Sequence, residues 1–225
     1  MNVFEDIRAP ALPQRPYIMR SPTITRLPVM NFCSACGARV EITVPPGDTL
    51  PRYVCTGCET IHYENPKMVV GCIPEWENRI LLCRRAIEPR YGLWTVPAGF
   101  MENGETTAQG ALRETLEEAN ARVEILGLYA LFNIPHINQV YMLFRARLLD
   151  LDFYAGAESL ETRLLGETEI PWDQIAFATV RRTLNLYFSD RRNGEYRFHI
   201  GTIEPQPNSA SVDGEATAER VQDEK

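Results

Sequence analysis

The run "RETLEE", residues 113–118, packs three glutamates and an arginine into six positions. On a helix of ~3.6 residues per turn, Glu114, Glu117 and Glu118 stand at i, i+3 and i+4, so their carboxylates share one face. Like charges at that spacing destabilise a helix unless something positive sits among them. Mg²⁺ and Mn²⁺ are hard cations that take oxygen ligands and keep waters able to bridge to phosphates, so a divalent cation is the expected occupant. Arg113 can bond a neighbouring carboxylate and hold its rotamer. Taken alone, the spacing is equally that of a solvated helix face.

A second chemistry lies upstream. Cys33, Cys36, Cys55 and Cys58 form "CSAC" and "CTGC", two knuckles with the spacing of a four-thiolate zinc ribbon. Two disulfides would use the same residues. Nothing resembles a secretory signal peptide, so a cytoplasmic, reducing setting and structural Zn²⁺ are expected. Cys72 and Cys83 sit in apolar runs and read as buried small hydrophobes. The 225 residues are 44% hydrophobic and 24% charged, enough for one good core plus a small module. The formal charge of −7 argues against a broad nucleic-acid-binding face, and no apolar run approaches the ~20 residues of a spanning helix.

Strands and helices must position these groups. "KMVVGCIPEW", "RILLCRR", "LWTVPA", "ARVEILGLYALFNI" and "NQVYMLFRARL" read as strands, with a hairpin at Asn78 between the first two. Ala108, Ala111, Leu112, Thr115, Leu116 and Ala119 form the stripe of an amphipathic helix, predicted to pack on the sheet with the carboxylates on the opposite side. A second helix is predicted from about Phe177 to Phe188. Strands around one central helix indicate an α+β fold, an α/β/α sandwich. Residues 1–29, with five prolines and four arginines, are expected to be a disordered leader or an over-long reading frame whose start is Met30. The expected organisation is 1–29 leader, 30–64 zinc ribbon, 65–200 catalytic domain and 201–225 disordered acidic tail.

Gly99, Glu105, Arg113, Glu114, Glu117 and Glu118 fall at the spacing Gly-x5-Glu-x7-Arg-Glu-U-x-Glu-Glu-x-Gly-U, with U aliphatic, and the stretch resembles the box of the Nudix hydrolases. Thr115 replaces an aliphatic residue and Asn120 the last glycine; asparagine tolerates the left-handed conformation of a helix cap. The resemblance covers about Asn65 to Asp190, and the ribbon in front of it is similar to that of NADH pyrophosphatases and of an FAD and ADP-ribose pyrophosphohydrolase branch. The "SQPWPFP"-type motif of NADH pyrophosphatases is absent. Pro135 stands about fifteen residues past the box, as in ADP-ribose hydrolases, and is equally an ordinary turn proline.

What the resemblance implies is a metal-dependent pyrophosphohydrolase that splits FAD into FMN and AMP, or ADP-ribose into AMP and ribose 5-phosphate. NADH or another nucleoside-diphosphate-linked compound is the alternative substrate. A non-catalytic nucleotide-sensing module is the alternative of another class, and the three intact glutamates speak against it. Glu114 and Glu118, with the backbone carbonyl of Ala98, are the implied Mg²⁺ or Mn²⁺ ligands, and Glu117 a further ligand or water orienter. Glu158 and Glu161 are candidate general bases, each equally compatible with a surface acid. One of Arg84 and Arg85 is expected to clamp a phosphate while its neighbour points away. Trp94, Phe100, Phe132 and Tyr141 are candidates to stack on a ring, although strand aromatics are usually core. His62 is expected to make a structural hydrogen bond, and His136 and His199 carry no assigned chemistry. The expected partners are a small dinucleotide or nucleoside diphosphate substrate and a second copy in a homodimer, with no nucleic acid and no membrane.

Overall fold

The computed structural model describes residues 30–205, so the expected leader and the tail beyond residue 205 lie outside the described residues. Three short antiparallel strands, β1 (Val40–Thr43), β2 (Arg52–Cys55) and β3 (Ile61–His62), form a separate small sheet around the cysteine knuckles. The remaining strands are β4 (Lys67–Trp76), β5 (Arg79–Arg85), β6 (Trp94–Thr95), β7 (Ala98–Phe100), β8 (Val123–Ile134), β9 (Gln139–Leu148), β10 (Ser159–Leu165) and β11 (His199–Thr202). They make one mixed sheet ordered β10-β5-β4-β9-β8-β11, with β6 paired to β5 and β7 to β4. Helix α1 (Thr107–Ala119) follows β7, and α2 (Ala178–Asn193) precedes β11.

The sheet has two covered faces because successive strand residues point oppositely. Val70 and Cys72 of β4 and Phe144 and Ala146 of β9 pack with Ala111 of α1, and Leu81 and Cys83 of β5 with Ala119. Their neighbours Ile73, Leu82 and Leu143 point to the other side, against Val180, Leu184, Tyr187 and Phe188 of α2. The α/β/α sandwich is thus built from both faces of each central strand. No helix among the described residues is long and apolar enough to cross a membrane.

Three expectations are corrected. The helix stripe was placed with Leu112 and Leu116 against the sheet, yet they are 37% and 51% exposed, whereas Glu114 and Glu118 are only 8% and 7% exposed. The inward face of α1 is narrow, made of Gly110, Ala111, Thr115 and Ala119, and the carboxylates flank it instead of opposing it. Helix α2 runs five residues past Phe188 and stops at Gly194, which takes a left-handed φ of 71°. The expected tail boundary at 200/201 falls inside β11, which pairs in parallel with β8 up to Thr202↔Asn133. Thr115, buried at the aliphatic position, is satisfied because its hydroxyl donates to the Ala111 carbonyl at 2.7 Å.

Candidate functional site

Helix α1 begins where a capping box fixes it: the Thr106 hydroxyl accepts from the Gln109 N–H, and the Gln109 amide oxygen accepts from the Thr106 N–H. It ends at Asn120, in the left-handed region at φ 47°. Between these stops the helix lies beside β7, and Arg113 ties the two together. Its Nε and Nη2 donate to both oxygens of Glu105 at 3.0 and 2.8 Å. Its Nη1 donates to Glu114 at 2.8 Å and Glu117 at 3.0 Å, and Nη2 also to the Phe100 carbonyl at 3.1 Å. Glu105, absent from the expected site residues, is the anchor of this network, and Arg113 holds its carboxyl down to about 2.

Gly99 explains itself by distance: a Cβ there would lie 2.3–2.5 Å from three atoms of the Glu114 carboxylate. Ala98 N–H donates to Glu118 Oε2 at 3.2 Å. The β4 ladder uses the backbones of Pro97 and Met101 through Cys72 N–H→Pro97 O and Met101 N–H→Met68 O, so by alternation the N–H and C=O of Ala98 both face away from β4. The predicted carbonyl is thereby free of the sheet and beside Glu118. Burial pushes the Glu118 carboxyl up to about 8, with the neighbouring Glu114 and Glu158 adding to the rise against opposition from Ala98 N–H and Arg85. Burial also raises Glu114. Two buried carboxylates whose charged forms burial disfavours, both facing an open cleft, suit a hard divalent cation.

That cleft, of 1860 Å³, is lined by Glu114, Glu117, Glu118, Glu158, Arg113 and Arg85 at one part. It exceeds the ~300–1,000 Å³ typical for a single drug-sized ligand, so it has room for a two-part substrate. Elsewhere its walls come from the Ile134–Gln139 turn, which holds Pro135, the start of α2, and residues 202–205 at and beyond the end of β11. The two candidate arginines divide as strand alternation predicts. Arg85 is buried and lines the cleft, its Nε donating to the Pro89 carbonyl and its guanidinium lying 5.1 Å over the Phe177 ring. Arg84 does not line the cleft; its Nε donates to the Gly92 carbonyl at 2.8 Å.

The candidate bases divide too. Glu158 lines the cleft, whereas Glu161 lies in β10 opposite Arg84 and pairs with Arg163 at 3.2 Å, outside it. Of the four candidate aromatics, Trp94 and Phe132 are core at 5% and 1% exposure, and Phe100 and Tyr141 line the cleft, as does Phe177. His136 also lines it. His199 bonds Asp190 at 2.7 Å within the body of the fold.

The cysteines converge as the spacing required. All four Sγ atoms lie within 4.8 Å of one another, with Cys33–Cys58 at 3.7 Å and Cys36–Cys55 at 3.4 Å. A tetrahedral ion with bonds of ~2.3 Å sets sulfurs ~3.8 Å apart, whereas a disulfide needs ~2.05 Å. Zinc fits; disulfides do not. Backbone N–H groups of Ala35, Gly57 and Cys58 point at Cys33 and Cys55 sulfurs at 3.3 Å, and His62 Nε2 lies 3.3 Å from Cys33 Sγ. The expected structural hydrogen bond of His62 is therefore to the ribbon itself.

Residues 31–64 match the family described as Nudix N-terminal, and residues 65–154 the NUDIX domain family. A solved NUDIX hydrolase from Nitrosomonas europaea is 64% identical, with a TM-score of 0.76 over 77% of this chain and 99% of that one. An ADP-ribose pyrophosphatase of Methanocaldococcus jannaschii is 34% identical over 32% of this chain and 43% of its own length. An NAD-capped RNA hydrolase, NudC, of Vibrio atlanticus is 34% identical over 42% of this chain and 33% of its own length. The matched stretch is thus less than half of either curated relative.

Proposed function

The chain belongs to the Nudix hydrolases, and from that membership we propose that it is an Mg²⁺- or Mn²⁺-dependent pyrophosphohydrolase that cleaves the diphosphate of ADP-ribose or FAD. The observation that carries the reading is the cleft in which buried Glu114 and Glu118 face the same space as Glu158 and Arg85. Glu114, Glu118 and the Ala98 carbonyl would hold the cation, with Glu117 beside them. When bound, it supplies charge neutralisation for the diphosphate and a water of lowered pKa.

The remaining steps are assigned to residues of the chain. Arg113 bridges the Glu114 and Glu117 carboxylates through Nη1 and holds them in fixed rotamers. Glu158 takes a proton from the attacking water as its oxygen bonds to phosphorus. The bond from that phosphorus to the bridging oxygen breaks, and its electron pair leaves with the departing phosphate. Arg85, preorganised by Phe177 and Pro89, clamps the phosphate through its two remaining nitrogens.

Turnover of ADP-ribose, FAD, NADH, CoA and a 5′-NAD-capped oligonucleotide, each with Mg²⁺ or Mn²⁺ and resolved by chromatography, tests the reading. ADP-ribose or FAD should give AMP. Release of AMP from neither ADP-ribose nor FAD would refute it. The NADH and oligonucleotide arms test the second reading, favoured by the likeness to NudC, and with it the proposal that no nucleic acid is a partner.

A further inference from the structure

Asn120 stands at the box position where the pattern has glycine, and its left-handed backbone would accept glycine without strain. Its side chain nevertheless has a use. Asn120 Nδ2 donates to the Tyr154 carbonyl at 3.3 Å, across to the segment 149–158 that connects β9 to β10. That segment lies along the last turn of α1. Tyr154 N–H donates to the Ala119 carbonyl at 3.0 Å and Gly156 N–H to the Glu118 carbonyl at 2.9 Å. These are among the carbonyls a helix end leaves without intrahelical partners.

The approach is closest at Gly156, where a Cβ would fall 1.8 Å from the Glu117 carbonyl oxygen. Two residues on, Ala86 N–H donates to the Glu158 carbonyl at 2.8 Å. The segment is therefore pinned at one end to the helix that carries Glu114, Glu117 and Glu118, and at the other to the residue after Arg85. Glu158 is the carboxylate this strap delivers to the cleft.

We propose that Asn120 and Gly156 are positioning residues that hold Glu158 at a fixed distance from the box carboxylates. The proposal rests on the hydrolase reading with Glu158 as the acceptor of the water's proton. Backbone atoms of α1 itself form the dock, so the base and the carboxylates move as one body. A proton acceptor on an untethered ten-residue loop would lose the alignment that general-base catalysis needs, and a misplacement of ~1 Å is enough to cost roughly a hundredfold.

The test uses the full chain with the substrate found above, in Asn120→Gly, Gly156→Ala, Glu158→Gln and the pairwise combinations with Glu158→Gln. Asn120→Gly keeps the left-handed cap and removes only the side-chain tether, so it remains informative if Gly156→Ala fails to fold. Expected are falls in kcat of about threefold to tenfold for Asn120→Gly and about tenfold to a hundredfold for Gly156→Ala, with KM unchanged. Neither fall should appear in the Glu158→Gln background, because a residue acting only through another is non-additive with it. Amide exchange supplies a readout independent of turnover: Asn120→Gly should speed exchange at Tyr154 and Gly156 and leave the central strands unchanged.

Costs that multiply in the Glu158→Gln background, or wild-type exchange at both amides, would overturn the proposal. A Glu158→Gln variant with full kcat would overturn it while leaving the hydrolase reading standing. A wild-type chain that hydrolyses none of the five compounds would overturn the hydrolase reading, and the proposal would fall with it.

Discussion

Glu118→Gln separates the site's demand for a cation from its chemistry. Glutamine matches glutamate in size, and its amide oxygen can still accept the Ala98 N–H that Glu118 holds at 3.2 Å. What disappears is the ionisable group. Burial pushes this carboxyl from an ordinary 4.5 up to about 8. Because the folded value lies above the unfolded one, the destabilisation is absent below pH 4.5, grows with pH, and levels off above about 8. At pH 7 the interval of about 2.5 pH units, at ~1.36 kcal/mol each, comes to about 3 kcal/mol.

Protein dialysed free of Mg²⁺ and Mn²⁺, without a chelator so that the ribbon keeps its zinc, should therefore melt roughly 6–12 °C higher as Glu118→Gln at pH 7. The gain should vanish near pH 4.5. Added Mg²⁺ should raise the melting temperature of the wild type more than that of the variant, and turnover should fall roughly a hundredfold or more, about 3 kcal/mol. A variant that melts at or below the wild type at pH 7 without metal would show that the buried carboxylate is not waiting for a cation.

Glu114→Gln and Glu117→Gln should each lower kcat roughly a hundredfold at saturating Mg²⁺, measured by initial rates; near-normal turnover of both would remove them from the site. Arg85→Gln should raise KM about tenfold or more, whereas Arg84→Gln should leave KM within about twofold, a split read from substrate titrations. Freshly purified protein should contain about one zinc per chain by elemental analysis, not displaced by Mg²⁺. Cys36→Ser should lose that zinc while part of the hydrolase activity survives.

The chemistry was more legible than the scaffold around it. The four cysteines could be read because each knuckle is a local motif and the pairing of β1 with β2 closes one onto the other, and the i, i+3, i+4 spacing of Glu114, Glu117 and Glu118 was enough to place all three on the cleft. Strand alternation foretold that only one of Arg84 and Arg85 faces the cleft. The inward side of α1 was misread because Leu112 and Leu116 flank the small residues on one edge and the glutamates on the other, and hydropathy favours the leucines. Strand β10 was invisible since "SLETRLL" lacks alternation and becomes a strand only by pairing with β5. That pairing also placed Glu161 against Arg84, away from the site. β11 is four residues at an edge with Ile200 67% exposed, so no hydrophobic period announces it. The strap carrying Glu158 is set by contacts some 35 residues apart in sequence, Gly156 to Glu118 and Tyr154 to Ala119, beyond any local pattern.

Arg113 has five N–H groups, and five acceptors within the chain consume them. A guanidinium saturated in this way has no donor left for a ligand, so the positive charge nearest the carboxylates is blind to what enters the cleft. Discrimination between substrates is then left to the loop after β5, the turn before β9, the first turns of α2 and residues 202–205, none of which bonds to Arg113. Reaction and recognition are thereby separable under mutation: those walls can drift to admit a different nucleotide while the hydrolytic unit stays unaltered. A library confined to residues 87, 88, 90, 91, 136–139 and 178–186, which spares Pro89 and Phe177 beside Arg85, should consequently yield variants with altered substrate rank and an unchanged metal requirement.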